Sequence, residues 1–354
     1  MDFIDQPKTI REGEELDPDK IKTFLRDSMP GLSGELVIRQ FPSGFSNLTY
    51  LLTVGEKDMI LRRPPFGTKA KTAHDMDREF RILQALKPVF PYCPKALVYC
   101  DDPSVMDSPF YVMERIKGII LRNNLPPGMK LSPPDARRLC ENLVEVWRRL
   151  HAIDYEKIGL AGFGKPKGYV KRQVEGWSRR YRNAKTDDAP DFERVMLWLA
   201  EHMPPDTEAP AIIHNDYKFD NIVLDPSNSL RIIGILDWEM ATIGDPLMDL
   251  GASLAYWVER NDPENVQMMR RLPTNLEGML TREELVDLYA KKTGRRVDGI
   301  DFYYCFGLFR LAVIAQQIYY RFYHGQTRDE RFRMLVFAVH ILEQAAGKVV
   351  EQAT

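Results

Sequence analysis

Residues 214–221 read HNDYKFDN, and residues 235–239, which close an apolar run, read ILDWE. Within the first stretch, a carboxylate, an ammonium group, a second carboxylate and an amide fall in six positions. An exposed polar turn can collect such groups by chance. A site that holds a phosphate and a divalent cation requires them, because Mg²⁺ prefers hard oxygen ligands. The two stretches together therefore indicate phosphate chemistry.

The segment around these stretches contains short strands inside a helical part of the chain. IIHNDY, NIVLD and RIIGILDW are β-like runs around 211–236, and DPSNS forms the turn between the last two. Helical patterns fill 132–151 and most of 172–203 and 281–350. The C-terminal part is therefore predicted to be mainly helical.

The first part of the chain has a different pattern. Asp17 and Pro18 begin a helix as N-cap and first helical residue, and Pro30-Gly31 ends it. ELVIRQF, NLTYLLTV and MILRR then predict three strands joined by short turns, which fits an antiparallel meander. An amphipathic helix over 75–86 and a further strand, PFYVMERI, follow.

A chain of 354 residues exceeds one hydrophobic core, so two lobes are expected. The change of pattern places an N-terminal lobe at 1–113 and a helical C-terminal lobe at 119–354. The hinge between them is predicted at 114–118, where Lys117-Gly118 interrupts the strand.

Composition excludes several classes of protein. A formal net charge of -2, with 44% hydrophobic and 28% charged residues, is typical of a globular protein without a general attraction to nucleic acid or membranes. The four cysteines have no CxxC spacing and are predicted to be reduced. The polar N-terminus lacks the apolar core of a signal peptide, so a cytoplasmic location is predicted.

Phosphoryl transfer from ATP needs a base for the attacking hydroxyl, oxygen ligands for Mg²⁺ and cations near the phosphates. Asp216 supplies the carboxylate for the base, and Lys218 can reach toward a transferring phosphoryl group. Asn221 and Asp237 supply amide and carboxylate oxygens for the metal. His214 is expected to order the loop by hydrogen bonding rather than act as a base.

The ordered motifs resemble the aminoglycoside phosphotransferase and choline kinase-like family of small-molecule kinases. His214, Asp216 and Asn221 match the kinase pattern HxDxxxxN, and Asp237 corresponds to the metal-binding Asp of DFG. GDPLMD at 244–249 matches the Gly-Asp-Pro and following Asp of this branch. LRRPP and LHAIDYEKIGLAGFGKP look closest to the phosphotransferase domains that occur beside acyl-CoA dehydrogenases.

This resemblance implies an α+β, two-lobed protein-kinase-like fold. A small antiparallel-sheet N-lobe would bind the nucleotide, and a larger helical C-lobe would carry the catalytic loop and the acceptor pocket. ATP and Mg²⁺ are the implied cofactors, and a hydroxylated small molecule is the implied substrate. No nucleic acid or membrane partner is expected.

The same template assigns roles in the predicted N-lobe. SGFSNLTYLL occupies the place of the nucleotide-covering loop with Gly44 as its single glycine, and Ser43, Ser46 and Asn47 would supply donors to phosphate. MILR aligns with the kinase VAIK segment, which places arginine where lysine is usual. Alternation along a strand puts Ile60 and Arg62 on one face, toward adenine and the phosphates respectively.

Glu79 in the following helix is the expected partner of Arg62. The alternative is that these two residues form a surface ion pair of little energetic importance. The hinge residues, Glu114 to Ile116, would offer main-chain groups to adenine.

The basic residues of the predicted acceptor segments favour a neutral or anionic acceptor over a polyamine. Together with the resemblance to the domains beside acyl-CoA dehydrogenases, this implies a hydroxyacyl group or a hydroxyacyl-CoA as acceptor, and the alternative is an aminoglycoside, sugar or amino-alcohol kinase. The basic residues are Lys171, Arg172, Arg179, Arg180, Arg182, Arg310, Arg321, Arg328, Arg331 and Arg333.

Two further functions are compatible with parts of the pattern. The single glycine of the nucleotide loop and Arg62 would suit a pseudokinase module that binds ATP without transferring phosphate. A metal-dependent hydrolase could use His214, Asp216 and Asp220. Zinc hydrolases generally assemble several histidines, however, and the six histidines here are not clustered in sequence.

Overall fold

A computed structural model describes residues 3–42, 47–66 and 75–353. The strands of these residues are β1 Leu36–Gln40, β2 Leu48–Val54, β3 Lys57–Arg63, β4 Ala96–Cys100, β5 Phe110–Glu114, β6 Ile119–Ile120, β7 Ala211–Ile213, β8 Ile222–Asp225, β9 Asn228–Ile235 and β10 Thr242–Gly244.

The helices of the described residues are α1 Pro18–Ser28, α2 Met76–Leu86, α3 Pro133–His151, α4 Tyr169–Ala184, α5 Glu193–Glu201, α6 Pro246–Leu254, α7 Glu264–Met268, α8 Arg282–Thr293, α9 Ile300–Tyr323 and α10 Leu335–Ala353. Short 3₁₀ helices lie at Phe219–Asn221 and Glu330–Met334. None of the helices in the described part of the chain is both long enough and apolar enough to cross a bilayer.

The chain forms two compact units, and the first contains residues 1–120 together with 221–241. Its main sheet has the antiparallel order β1-β2-β3-β5-β4. The predicted meander and the helix that begins at Asp17 are confirmed. Ile21 and Leu25 of α1 lie in one core cluster with buried residues of β2 and β3. Strand β4 was not predicted, and it forms an edge beside β5.

A second sheet explains why residues 221–241 belong to the first unit. Its order is β6-β8-β9, so the hairpin of β8 and β9 pairs with the strand that follows residue 118. Gly118 lies so close to β8 that a Cβ there would overlap the Leu224 carbonyl oxygen. The sequence prediction assigned all of 119–354 to the helical lobe, whereas these backbone pairs group 221–241 with the first 120 residues.

The second unit contains residues 121–220 and 242–354 and consists mainly of helices, as predicted. Helix α9 packs against α4, α6 and α10. A Cβ at Gly251 of α6 would overlap the Tyr303 carbonyl of α9, and a Cβ at Gly307 would overlap the Gly251 carbonyl. These two glycines allow α6 and α9 to cross in backbone contact. Next to them, β7 pairs with β10 and ends at the first predicted functional stretch.

Candidate active site

The loop that begins at His214 is held by a buried carboxylate of α6. Asp249 is 0% exposed, and its oxygens accept four hydrogen bonds. Two come from main-chain N–H groups of the loop, His214 at 3.0 Å and Asn215 at 2.6 Å. The other two come from the Trp147 indole and the His151 imidazole, both at 3.0 Å. This carboxylate therefore fixes the start of the loop relative to α3 and α6.

The electrostatics of Asp249 agree with this role. Burial alone would raise its pKa, but the hydrogen bond and charge of His151 outweigh burial and lower the pKa below its ordinary value. Because a carboxylate only accepts, His151 donates to Asp249 through its Nε2–H, and its Nδ1 lies 2.8 Å from the Tyr289 hydroxyl oxygen. Asp249 is thus an ionised acceptor at the base of the loop.

The loop itself has an unusual backbone. Asn215 has a φ of 63°, in the left-handed region that asparagine tolerates better than most residues. Its side-chain amide donates to the Tyr169 hydroxyl at 3.2 Å. The Asp216 N–H donates to His214 Nδ1 at 3.2 Å. This bond supports the prediction that His214 orders the loop.

The loop is also fixed after Asp216. The Tyr217 hydroxyl donates to the Leu143 carbonyl at 2.8 Å, and its ring stacks on Trp147 with 4.6 Å between ring centroids. The Ser253 hydroxyl donates to the Tyr217 carbonyl at 2.5 Å. Asp216 therefore lies between two anchored residues, and its carboxylate has a defined position.

Lys218 is the immediate partner of the predicted base. Its Nζ lies 3.0 Å from the Asp216 carboxylate, 3.2 Å from that of Asp220 and 4.9 Å from the Tyr256 ring centroid. Burial alone would lower the Lys218 pKa, but Asp216, Tyr256 and Asp220 outweigh burial and raise it above its ordinary value. The lysine is therefore a permanent cation between two carboxylates.

In the first unit, Arg62 of β3 lies among three carboxylates. Its Nη2 is 2.8 Å from Asp237 Oδ1 and 3.5 Å from Glu239 Oε2, and its Nη1 is 3.4 Å from Glu79 Oε1. The side chains of Arg62 and Glu79 are 8% and 1% exposed, so the alternative of a surface ion pair is wrong. Burial alone would lower the Arg62 pKa, but Glu79 and Asp237 raise it well above its ordinary value. The arginine stays charged at every accessible pH.

The acidic partners of Arg62 occupy fixed positions. The Trp238 N–H donates to Glu79 Oε1 at 3.1 Å, and burial raises the pKa of Glu79 against the opposing charge of Arg62. Asp237 has a φ of 67°. It and Asn215 are the non-glycine residues with positive φ in the described ranges, and each falls in one of the two predicted functional stretches. Residues held in sparsely populated backbone conformations cluster at functional sites.

The two predicted metal ligands lie on adjacent ends of one hairpin. Ile222 of β8 faces Ile235 of β9, and the Leu236 N–H donates to the Asn221 carbonyl at 2.8 Å. Asn221 therefore lies beside the residue that precedes Asp237. The Asp237 side chain is 33% exposed, and its carboxylate and the Asn221 amide are oxygen donors of the kind Mg²⁺ prefers. The residues present fit a magnesium ion.

Within 3–42, 47–66 and 75–353, no three His, Cys, Asp or Glu side chains are grouped closely enough to hold a metal ion. A magnesium site with Asn221 and Asp237 would therefore take its other ligands from phosphate and water. This ligand set is usual for Mg²⁺ in proteins that bind nucleotide phosphates.

The other residues predicted to bind the nucleotide differ in their surroundings. Asn47 is buried, and its amide donates to Glu239 at 2.6 Å. Gly44 and Ser46 lie outside the described residues. Ile60 is buried in β3 opposite Met113 of β5.

The predicted hinge residues adjoin the main sheet. The Glu114 carboxylate accepts from Lys95 N at 3.0 Å and lies 3.2 Å from Lys87 Nζ. The Glu114 N–H donates to the Lys95 carbonyl at 2.9 Å, so this main-chain donor is already used within the sheet. Ile116 lies against β9, where its side chain would overlap a Cβ at Gly234.

Several residues of the site had no role in the sequence prediction. Asp249 was recognised only as part of a motif, although the apolar residues around it signalled a buried acid. His151 and Glu239 were likewise recognised only as members of quoted motifs, and Tyr256 gave no sequence signal, because their partners lie far away along the chain. Glu239 follows Asp237 beyond the end of β9, in a segment where strand alternation does not apply.

We expect Arg62→Lys to lower the free energy of unfolding by about 1–3 kcal/mol. Lysine keeps the charge, but its compact ammonium cannot reach three carboxylates as the planar guanidinium does. Urea unfolding measures the change. Arg39 is exposed on β1, so Arg39→Lys is the matched control. Its free energy of unfolding should stay within about 0.5 kcal/mol of the wild-type value. Equal effects of the two substitutions would contradict a structural role for the guanidinium.

The sequence comparisons match this chain to phosphotransferases. Residues 37–284 match the model of the phosphotransferase enzyme family known as APH. Acyl-CoA dehydrogenase family member 11 of Rattus norvegicus is 33% identical over 337 residues, which cover 93% of this chain and 43% of the relative. Acyl-CoA dehydrogenase family member 10 of Mus musculus is 33% identical over 327 residues, which cover 92% of this chain and 30% of the relative. The chain spans less than half the length of these relatives.

Solved structures with the same fold cover nearly the whole chain. A protein from Ralstonia eutropha, provisionally assigned as an aminoglycoside phosphotransferase, has a TM-score of 0.80 at 29% identity, and the match covers 96% of this chain and 99% of that one. Choline kinase from Cryptosporidium parvum has a TM-score of 0.64 at 12% identity, covering 95% and 97%. The second likeness is one of fold alone.

Proposed function

Because the chain belongs to the phosphotransferase enzyme family and has its kinase-like fold, we propose that it transfers the γ-phosphoryl group of ATP to a hydroxyl of a small molecule. The observation that carries this proposal is the position of Asp216. Its carboxylate stands on a loop that is clamped from both sides by buried hydrogen bonds. A pseudokinase needs no carboxylate held in this way, since nucleotide binding does not require a base.

Asp216 orients the acceptor hydroxyl and takes its proton. The hydroxyl oxygen forms a bond to the γ-phosphorus, the bond from that phosphorus to the bridging oxygen breaks, and ADP leaves with the bonding pair. Lys218 keeps a positive charge beside Asp216, from where it can reach toward the transferring phosphoryl group. The phosphorylated alcohol, ADP and one proton are the products.

Asn221 and Asp237 would hold Mg²⁺, which neutralises phosphate charge when it is bound. Arg62 orients Asp237 through their 2.8 Å contact, and Glu79 orients Arg62 in turn. The role of Arg62 in this arrangement is to position the metal-binding carboxylate as well as to supply charge. Gly44, Ser46 and Asn47 would contact the phosphates, as proposed from the sequence.

The acceptor is proposed to be a hydroxylated acyl group, either free or as a CoA thioester. The basic residues of α4 and α9 support an anionic acceptor, because an aminoglycoside polycation would be repelled by them. The names of the relatives, acyl-CoA dehydrogenase family members, also support an acyl substrate.

The direct test is a panel of hydroxy acids, hydroxyacyl-CoAs, choline and kanamycin, each incubated with ATP and Mg²⁺. ADP release and the mass of the product are measured. We expect ADP to be released with hydroxyacyl compounds and a gain of one phosphoryl group on the acceptor. Turnover of kanamycin without turnover of any hydroxyacyl compound would overturn the acyl proposal. If ATP binds but no member of the panel causes acceptor-dependent release of ADP, the pseudokinase is favoured.

Asp237→Asn is expected to raise the Mg²⁺ concentration required for half-maximal activity by at least about 10–100-fold. The substitution removes the charge that attracts the cation and weakens the contact with Arg62. A magnesium titration of ADP release measures the change. Asp225→Asn, at the far end of the same hairpin, is the control and should leave the titration unchanged. An unaltered requirement in Asp237→Asn would contradict its role as a ligand.

A further inference from the structure

The ten basic residues of the predicted acceptor segments fall into two groups in the structure. Four form ion pairs with acids on the same or a neighbouring element, and Arg172 donates to main-chain carbonyls of 165–167. The ion pairs are Lys171–Glu175, Arg182–Glu193, Arg331–Asp329 and Arg333–Glu330. These five are accounted for by local structure, so they carry little information about an acceptor.

Two of the remaining residues share one aromatic ring. The guanidinium carbon of Arg180 lies 4.6 Å from the centroid of the Trp177 ring, and that of Arg310 lies 5.4 Å from it. We call these three residues the Trp177 cluster. Trp177 and Arg310 are buried, at 7% and 5% exposure, whereas Arg180 is exposed. The cluster therefore joins a buried cation to an accessible one.

The cluster concentrates positive charge. Within the described residues, no Asp or Glu carboxylate lies within 4.0 Å of Arg180 or its neighbour Arg179. Partial desolvation lowers the pKa of Arg180, whose side chain remains exposed, and the charges of Arg179 and Arg310 lower it further. Like charges brought together in this way repel one another, and a bound anion relieves the repulsion. Arginine is also the side chain best suited to phosphate and carboxylate groups.

The cluster lies in the same unit as the loop that carries Asp216, and helix α4 connects them. Tyr169 begins α4, and its hydroxyl accepts from the Asn215 side-chain amide. Trp177 and Arg180 lie further along the same helix, and Arg310 of α9 contacts the Trp177 ring. The helix that starts at the loop therefore also carries the cluster.

We propose that Arg180, with Arg310 and the Trp177 ring behind it, binds an anionic group of the acceptor and so determines which alcohols are phosphorylated. The chemistry recognised is a phosphate or a carboxylate. The phosphate would come from a carrier attached to the acyl group, and the carboxylate from the acceptor acid itself. This inference rests on the proposed function, since it assigns the acceptor side of the same site.

The test measures binding by calorimetry, without turnover, for three probes. Hydroxybutyrate carries a carboxylate, its pantetheine thioester carries no charge, and its phosphopantetheine thioester carries a phosphate and no adenine. The variant is Arg180→Met, which keeps an apolar stem on Trp177. We expect it to weaken binding of one anionic probe by about 10–100-fold, the loss of one charge-assisted hydrogen bond, and to leave the neutral thioester unchanged.

Arg182→Met is the matched control. It removes the same charge two residues further along α4, where the Arg182 side chain is already paired with Glu193. If binding of the phosphopantetheine thioester depends on Arg180, the recognised anion is a carrier phosphate. If binding of hydroxybutyrate depends on Arg180, the recognised anion is the carboxylate of the acceptor acid. Equal weakening by both variants, or no binding of either anionic probe to the wild-type chain, overturns the inference. Absence of ADP release with every hydroxyl acceptor would instead overturn the proposed function and leave these binding results intact.

Discussion

Replacing Asp216 by Asn is expected to lower kcat about 10²–10⁴-fold, the range over which general-base residues contribute. The amide preserves the size of the side chain but cannot take the proton of the acceptor hydroxyl. The loop should keep its shape, because its anchors are main-chain N–H groups on Asp249 and the Tyr217 carbonyl on Ser253. The dissociation constant of ATP should therefore stay within about twofold of wild type.

Steady-state ADP release and nucleotide titration together measure this prediction. Asp220→Asn is the matched control, since Asp220 pairs with the same Lys218 at 3.2 Å and loses the same charge. The control should lose far less activity. Equal losses in the two variants would show that the pairing of Lys218, and not the base, is what matters. Wild-type turnover in Asp216→Asn would refute the assignment of the base.

The local features of the fold were predictable because their causes are local. Asp17, Asp75 and Ser132 are each the N-cap of a helix, since their short polar side chains accept hydrogen bonds from N–H groups of the first turn. The partnership of Arg62 and Glu79 was implied by the resemblance to the kinase template. That template did not supply the contacts of Arg62 with Asp237 and Glu239, and Asp237 lies 175 residues after Arg62.

Strand β4 shows the opposite case. Residues 96–100 read ALVYC, an apolar run without alternation, and such a short run does not by itself distinguish a strand from a buried piece of helix. Its pairing with β5, which includes an irregularity between Ala96 and Val98, decides its structure. Likewise, the grouping of 221–241 with the first unit depends on β6, a strand of two residues that leaves no periodic signal.

The second large effect is expected from Asp249→Ala, which should lower the free energy of unfolding by about 3–5 kcal/mol. The substitution leaves two main-chain N–H groups, the Trp147 indole and the His151 imidazole without their acceptor, in a place that water does not reach. Each unsatisfied donor adds to the cost. Activity should fall as well, because the loop that carries Asp216 loses its anchor.

Urea unfolding measures the loss, and Asp287→Ala is the control. Asp287 is exposed on α8, so its removal should change the free energy of unfolding by less than about 0.5 kcal/mol. Asp249→Asn keeps one acceptor oxygen, so its free energy of unfolding should lie between those of wild type and Asp249→Ala. A loss in Asp249→Ala no larger than in the control would contradict the proposed anchor.

The cost of removing Asp249 should also depend on pH, and the sign follows from its pKa. The folded pKa is lowered below its ordinary value, which is about 3.9 in unfolded chains. The ionised carboxylate therefore contributes its full stabilisation above that value, and the contribution is lost as pH falls through the folded pKa. The difference in unfolding free energy between wild type and Asp249→Ala should be constant from about pH 5 to 7 and shrink at lower pH. A difference that grew on acidification would mean that the protonated acid, rather than the carboxylate, holds the loop.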